Sequence, residues 1–317
     1  MSRKSKALLL GALLVAVSFL IWKFSFLMLG ARVLLTTVEE GWLKHEKGAK
    51  AVFANTEIVL TAPIEGKLVP VQEKEGQRFR KGEMLATLYP TGVDISRSVK
   101  ETAVNAPISG LFYRSLDNVE QVLTPENLMK LELNNLLSQA ERELTEKLAE
   151  TAKQVGTSPK KSSFKKYEPL GKIVNNLSPT WMFIYLESGT NIRPDQTASF
   201  IIDGEEYCGR VMKISDRPRG AVVCFTQFID GTVENRIQDI VWYYKAASKG
   251  VLVPLSSLLR LGEEVIVYVE EGGIVELRNV ELIDANDHWA CVKGLAEGVR
   301  VVVNPRRGWR EQNYPRI

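Results

Sequence analysis

A five-residue phrase, Ala-Pro-Ile-x-Gly, occurs twice in this chain, from Ala62 to Gly66 and again from Ala106 to Gly110. Each copy leads into alternating apolar and polar residues. Proline suits an extended entry that needs no backbone N–H donor. Glycine suits a position where a side chain would clash or where φ is positive. The repeat therefore predicts two equivalent β-rich halves that interlock, each half covering the apolar face of the other.

Four glycines are the candidate structural turns of this small barrel. Gly66 and Gly110 end the two copies of the phrase, and Gly76 and Gly82 are placed to make the next two turns of the first half. The second half carries Glu120 where the first carries Gly76, so its turn is expected to differ.

Most of the remaining chain consists of short β-branched and aromatic-rich segments separated by turn signals, which is typical of small barrels and sandwiches. One segment differs, because leucines recur at three- and four-residue spacing after Thr124 and Pro125. This pattern predicts a helix from about Pro125 to Val155, capped by Thr124 and broken near Asn134-Asn135. The basic loop that follows, 156–166, is expected to face solvent.

The apolar run 7–29 is long enough to span a bilayer as a helix. Its one charge, Lys23, lies off-centre, and the many Leu, Ile, Val and Phe residues outweigh its cost. A cleaved signal peptide is the competing interpretation, but the run is long and the site after it is poor. Basic residues precede the run, so we expect residues 1–6 in the cytoplasm and the bulk of the chain outside it.

Composition excludes several classes of function. The formal net charge is +3, and three of the basic residues precede the apolar run, so the rest is balanced and a nucleic-acid partner is not indicated. The three cysteines, Cys208, Cys224 and Cys291, are widely spaced and form no CxxC pair. We expect no catalytic site and no metal site, since no hydrolase, zincin or phosphate-loop motif occurs.

The repeated halves resemble the biotinyl/lipoyl-type fold. In carrier enzymes of that fold, a lysine at a hairpin tip holds the cofactor. The expected tip here, "GEMLATLYPTGVDIS", has no lysine. No covalent cofactor is therefore expected.

A lipoyl-like barrel behind a membrane anchor resembles the HlyD-type membrane fusion proteins, the periplasmic adaptor subunits of efflux and secretion pumps. The segments 168–215 and 250–305 resemble that family's β-barrel and membrane-proximal domains, in family order. The resemblance implies a mainly β chain with a short helical insertion. The implied divisions are a cytoplasmic tail 1–6, a transmembrane helix 7–29, a strand of the membrane-proximal domain in 32–52, a lipoyl-like barrel-sandwich hybrid in 53–124 and 167–176, a helical insertion and basic loop in 125–166, a β-barrel domain in 177–252, the membrane-proximal domain in 253–305, and a tail in 306–317.

The family usually inserts a long helical hairpin between the two lipoyl halves. Here that gap is too short for paired helices, and the helical segment instead follows the second phrase. Folded on itself, a helix of about 30 residues reaches only about 22 Å. An outer-membrane duct is therefore not expected as a partner, and a cell with a single membrane fits better.

Three hypotheses for function follow from these features. The first is a non-catalytic, membrane-anchored extracytoplasmic adaptor of an ABC-type or RND-type exporter, with self-association as a further open question. The second is an envelope or cell-division scaffold that reuses the fold. The third, a carrier or hydrolytic enzyme, lacks the necessary lysine and motifs.

The C-terminal tail interleaves arginines with aromatic residues. Guanidinium groups meet lipid phosphates and aromatic rings settle at headgroup level. A solvated tail is the competing interpretation. The candidate contacts with the membrane or a partner are Arg306, Arg307, Trp309 and Arg310.

Overall fold

A computed structural model describes residues 34–91, 101–130, 132–153, 162–190 and 192–305. The predicted anchor 7–29 and the tail 306–317 lie outside these residues. Within the described ranges, neither helix is long and apolar enough to cross a membrane.

The chain is mainly β, as the sequence predicts. The described residues form twenty strands and two α-helices, and these follow in chain order: β1 Leu35–Thr37, β2 Glu39–Ala54, β3 Glu57–Thr61, β4 Gly66–Pro70, β5 Gln77–Phe79, β6 Met84–Pro90, β7 Thr102–Asn105, β8 Gly110–Tyr113, α1 Pro125–Lys130, α2 Leu133–Lys153, β9 Ser163–Phe164, β10 Pro169–Val174, β11 Trp181–Tyr185, β12 Thr197–Ile202, β13 Glu205–Asp216, β14 Arg219–Phe225, β15 Ile237–Pro254, β16 Leu259–Leu261, β17 Glu264–Glu271, β18 Ile274–Ala285, β19 Trp289–Lys293 and β20 Arg300–Val302. A 3-10 turn, Leu255–Ser257, precedes β16.

Two compact units divide the chain. Among the described residues, the first contains those up to 45 and from 245 onward, and the second contains those from 46 to 244. The chain passes from one to the other inside β2 and returns inside β15.

The first unit is an antiparallel arrangement in the order β1-β20-β17-β18-β19-β15. One edge of β17 is shared, because its start pairs with β16 and its end pairs with β20. Valines that alternate along these strands fill the core, as expected for strands with one buried face. The fully buried members are Val253, Val267, Val269, Val292 and Val301.

The second unit contains a closed six-stranded antiparallel barrel. Its strands follow the order β15-β12-β13-β14-β11-β2, and β2 pairs with β15 to close the ring. The Phe53 amide donates to the Arg236 carbonyl at 2.8 Å across this closure. The six-stranded barrel is packed with large apolar side chains, including Phe53, Phe200 and Trp242.

Two four-stranded sheets form the barrel-sandwich of the second unit. One has the order β3-β10-β8-β5 and the other β7-β6-β4-β9. Exchanging the first half, β3–β6, for the second half, β7–β10, strand for strand, converts one order into the other. Each sheet therefore takes two strands from each half, which is the interlocking arrangement that the repeated phrase predicts.

The helical insertion lies between β8 and β9, inside the second half of the barrel-sandwich. The Thr124 hydroxyl accepts a hydrogen bond from the Asn127 amide at 3.2 Å, so Thr124 caps α1 as predicted. A break is present near Asn134-Asn135, as predicted, but it lies slightly earlier, because α1 ends at Lys130 and α2 begins at Leu133 and includes both asparagines. Leu128 and Leu133 are both buried, although positions five apart lie about 140° apart on one helix. Separate helices allow both leucines to face the core.

Candidate functional site

Buried charge is concentrated at one place in the second unit, where the barrel-sandwich, the helical insertion and the six-stranded barrel meet. The side chains of Lys172 and Arg236 are only 2% and 0% exposed. Lys172 lies on β10, and Arg236 immediately precedes β15. The three carboxylates around them are Glu57 on β3 and Asp117 and Glu120 between β8 and α1. We call these five residues the buried ion network.

Arg236 is the centre of the network. Its Nε donates to Asp117 Oδ2 at 2.5 Å and its Nη2 donates to Glu57 Oε2 at 2.7 Å. Lys172 Nζ lies 3.1 Å from Glu57 Oε2, 3.3 Å from Asp117 Oδ2 and 3.4 Å from Glu120 Oε1. Two cations thus face three carboxylates, and Glu57 and Asp117 each bridge both cations.

The surroundings shift the pKa values of Asp117 and Glu120, the two acids before α1, in opposite directions. Burial alone would raise the pKa of Asp117, but the charge and hydrogen bonds of Arg236 and the charge of Lys172 outweigh burial and hold that pKa at about 2. Burial and the neighbouring Asp117 charge raise the pKa of Glu120. A protonated Glu120 would leave two carboxylates against two cations, so its raised pKa moves the network toward charge balance.

The network is suited to holding segments together and not to chemistry. Every cation in it is already bound by carboxylates, and breaking a buried pair leaves an uncompensated charge. Its members come from segments far apart in sequence. It therefore fixes β3, β10, the β8–α1 connection and the start of β15 in one arrangement.

A second charged cluster lies inside the first unit around Asp284 of β18. Asp284 Oδ2 is 2.7 Å from His45 Nε2 and accepts from Ser248 Oγ at 2.7 Å, and Oδ1 accepts from Lys245 Nζ at 2.6 Å. Burial opposes the charge on Asp284, but these hydrogen bonds outweigh burial and place its pKa well below the usual range. His45 and Lys245 are the residues at which the first unit ends and resumes.

This cluster contains Ser, His and Asp but lacks the arrangement of a hydrolase. A nucleophilic serine gives its proton to histidine, which the carboxylate supports from the other side. Here the Ser248 hydroxyl donates directly to the same Asp284 oxygen that His45 contacts. The nearby Cys291 thiol is buried, and burial raises its pKa, so it is not an activated nucleophile.

The helical insertion packs on the outside of the six-stranded barrel. The α2 residues Leu133, Leu136, Leu137 and Ala140 are buried in one cluster with Val52 and Ala54 of β2, Phe183 of β11 and Val222 of β14. Polar contacts extend this packing interface, since Glu141 Oε1 accepts hydrogen bonds from Tyr185 Oη and from Lys50 Nζ, both at 2.8 Å. The same apolar stripe continues to Leu148, which is 71% exposed.

The four predicted glycines lie in the barrel-sandwich. Gly66 begins β4 and Gly110 begins β8, and neither has a positive φ. A Cβ on Gly66 would lie 2.4 Å from the Tyr89 carbonyl oxygen, and one on Gly110 would lie 2.3 Å from that of Val174. Tyr89 and Val174 occupy the equivalent strands β6 and β10, so close approach of equivalent backbone requires glycine at both positions. Gly76 and Gly82 lie in the turns around β5, with φ of +70° and +83°.

Other predicted sites are placed as follows. Arg306, Arg307, Trp309 and Arg310 lie outside the described residues. The three cysteines are unbridged, with Cys208 exposed, Cys224 half-buried and Cys291 buried. Across the described ranges, no three His, Cys, Asp or Glu side chains are grouped so that they could hold a metal ion.

The buried ion network and the Asp284 cluster are the features that sequence patterns did not indicate. One local signal existed, because Lys172 interrupts the apolar strand "PLGKIV" and a charge inside such a strand needs a partner.

Proteins similar to this chain are found only among solved structures. No protein-family model matches the chain, and no curated protein matches it. ZneB from Cupriavidus metallidurans is 14% identical, with 89% of this chain and 95% of that chain covered at a TM-score of 0.31. MacA from Actinobacillus actinomycetemcomitans is 16% identical, with 86% and 100% covered at a TM-score of 0.36.

A third similar structure is a MacA–MexA chimera containing the Pseudomonas aeruginosa MexA alpha-hairpin domain. It is 15% identical, with 85% of this chain and 100% of the chimera covered at a TM-score of 0.33.

Proposed function

We propose that the chain is a non-catalytic, membrane-anchored, extracytoplasmic adaptor subunit of an export system. The observation that carries the proposal is the succession of domains in one chain, in which a pseudo-symmetric barrel-sandwich leads into a closed six-stranded barrel and then into the final β unit. This succession matches the order that the HlyD-type resemblance of the sequence implies. The domain divisions deduced from that resemblance belong to the same proposal.

The chemistry of the charged clusters supports a non-catalytic role. In the buried ion network, the side chains of Lys172 and Arg236 are already paired with carboxylates. In the first unit, Ser248 donates to a carboxylate instead of to histidine. Both clusters stabilise β structure around them. A protein built in this way acts through the surfaces that its rigid barrels present to partners.

The position of the ends supports anchoring through 7–29. The Val303 amide donates to the Leu34 carbonyl at 2.8 Å, so the chain enters and leaves the described part of the first unit at one place. An anchor that ends at Leu29 is only five residues from this point. The proposed orientation puts residues 1–6 in the cytoplasm and the two units outside.

The packing of the helical insertion on the six-stranded barrel supports a partner in the membrane that holds the proposed anchor. With its apolar stripe packed on the barrel, α2 is part of the core of the second unit and not a free hairpin. The proposed partner is therefore an ABC-type or RND-type transporter in the cytoplasmic membrane and not an outer-membrane duct. The packed insertion is also the one feature that favours the alternative, an envelope or cell-division scaffold that reuses the fold.

Affinity purification of the full chain from detergent-solubilised membranes tests the proposal. We expect a permease and an ATPase, or an RND-type transporter, to co-purify after chemical crosslinking in intact cells. Recovery of cell-division or wall-synthesis proteins without a transporter would support the scaffold and contradict the adaptor. Protease added to spheroplasts should cleave within 181–253, and protection of this region until lysis would contradict the orientation.

The tail 306–317 is proposed as an additional contact with lipid or with the transporter. Deleting it should leave the melting temperature of the full chain unchanged while reducing the amount of crosslinked transporter. Equal crosslinking with and without the tail would leave the solvated tail as the better account.

A further inference from the structure

The hairpin formed by β16 and β17 extends past the level of Leu34, where the described part of the first unit begins. Val301 of β20 pairs with Val269 of β17, and Leu35 of β1 pairs with Val302. Continuing this register places Leu34 beside Val303, at the level of Val267. The hairpin goes on beyond that level, because Leu261 of β16 pairs with Glu264. Measured along the strands, toward the side where β1 begins, the tip thus lies three residues, or about 10 Å, beyond the level of Leu34.

The length of the chain before Leu34 limits how far the bilayer can be from this tip. Leu34 lies five positions after Leu29, the last residue of the proposed anchor. Even a fully extended chain of five residues spans only about 17 Å. Measured along the axis of β1, the tip lies about 10 Å beyond Leu34 on the side of the anchor. Along that axis the tip is therefore no more than about 7 Å short of the last residue of the anchor, which is comparable to the thickness of a headgroup layer.

The residues at the tip have the chemistry of an interfacial contact. Leu261 is 64% exposed, and Leu34 at the same end is 57% exposed. Arg260 is exposed beside Leu261 and can meet lipid phosphate, whereas Glu263 and Glu264 on the other side of Gly262 are also exposed. The tip is not net basic, so apolar burial of Leu261, and not attraction to anionic lipid, is the force that this surface offers.

We propose that the β16–β17 hairpin tip inserts Leu261 into the interfacial region of the bilayer next to the anchor. The inference rests on the proposed function, specifically on anchoring through 7–29. With the hairpin in the interface, the first unit has a second point of attachment besides the covalent one. That second point restricts rotation and tilt of the unit about its anchor.

Depth-dependent fluorescence quenching of the full chain in phosphatidylcholine vesicles tests the proposal. A polarity-sensitive probe is attached at Leu261→Cys in a Cys208→Ser background, which removes the exposed thiol. Cys224 and Cys291 label poorly, since burial raises the pKa of both thiols. The matched control is Ile274→Cys. Ile274 is 58% exposed and lies in the β17–β18 hairpin, at the opposite end of β17 and about 23 Å from the β16–β17 tip.

Lipids that carry a nitroxide near the top of the acyl chain are expected to quench the probe at position 261 at least twofold more than the probe at position 274. Flotation of the same vesicles reports the anchor separately. A chain that fails to float overturns the proposed anchoring and the hairpin contact with it. A chain that floats, with equal quenching at both positions, overturns the hairpin contact alone. Protection of position 261 only after a purified transporter is added would assign the tip to a protein partner and equally overturn the lipid contact.

Discussion

Asp117 binds Arg236 through both of its carboxylate oxygens: Oδ2 accepts from Nε at 2.5 Å and Oδ1 accepts from Nη2 at 3.3 Å. The Asp117→Asn variant replaces one oxygen with an amide that cannot accept, and it removes the charge that balances a fully buried guanidinium. We expect the free energy of unfolding of the second unit to fall by about 3 kcal/mol or more, measured by urea denaturation.

Asp195→Asn is the matched control for that variant. Asp195 also pairs with an arginine, Arg210, at 2.8 Å, but the two side chains are 73% and 61% exposed. Its loss should cost less than about 1 kcal/mol. Equal effects of the two substitutions would show that burial does not govern the strength of the Asp117–Arg236 pair.

Glu120 and Asp117 should respond to pH in opposite senses. The raised pKa of Glu120 means that the folded state binds its proton more tightly, so this contribution to stability is present below pH 4.5 and is lost as pH rises through the raised value. The pKa of Asp117 is lowered to about 2, so its contribution is present above pH 3.8 and is lost as pH falls toward 2.

The Glu120→Gln variant separates these two contributions. Glutamine keeps an oxygen that can accept from the Asp117 amide but cannot titrate. We expect the variant to lose the decline in stability above pH 4.5 and to keep the decline below pH 3.8, as measured by denaturation at pH values from 2 to 8. A profile identical to that of the parent protein would remove Glu120 from the explanation.

Gly66→Ala and Gly110→Ala should destabilise the barrel-sandwich by similar amounts, because each new methyl group meets the carbonyl of an equivalent strand at 2.4 or 2.3 Å. Overpacking of this kind typically costs about 1–3 kcal/mol. Gly48→Ala is the control, since nothing lies within 4 Å of the added carbon on that strand, and it should change stability by less than about 0.5 kcal/mol. A large effect at only one of the two barrel glycines would argue against equivalent halves.

Two leucines on the apolar stripe of α2, one buried and one exposed, allow the effect of burial on stability to be compared within one helix. Leu137 is 1% exposed against the barrel, so Leu137→Ala should cost about 2–5 kcal/mol in unfolding free energy. Leu148 lies on the same stripe but is 71% exposed, so Leu148→Ala should cost less than about 0.5 kcal/mol. If Leu148→Ala proved as costly, the end of α2 would have to contact something other than the described residues of this chain.

The sequence predicted features that depend on local pattern. The repeated phrase predicted two interlocking halves, the spacing of leucines predicted the helix, and Thr124 followed by Pro125 predicted its cap. The surface that receives α2 could not be predicted, because a stripe from Leu133 to Leu148 shows amphipathicity but not which strands it packs against or where the packing stops. The position of the break depended on burying both Leu128 and Leu133, which is a tertiary requirement.

The buried ion network escaped sequence analysis for a related reason. Asp117 and Arg236 are 119 positions apart, and each occurs among polar residues that are usually solvated. The folded second unit brings Arg236, just before β15, to Asp117 between β8 and α1. The Asp284 cluster likewise gathers His45 and Lys245 from opposite parts of the chain. Charges of this kind are recognised from three-dimensional contacts and not from spacing.

The place of the helical insertion determines the order in which the barrel-sandwich can fold during synthesis. Leu60 of β3 lies opposite Gly171 of β10, so the first half cannot be covered until the helices, the loop and β10 have been made. The roughly 80 residues between the end of β6 and the end of β10 take about 4–16 s at typical translation rates. During those seconds Leu60 of β3, which is buried in the finished protein, has no β10 strand beside it. Nascent chains of this protein therefore carry a predictable window of exposure to chaperones and to aggregation, and shortening the segment between β8 and β9 would shorten that window.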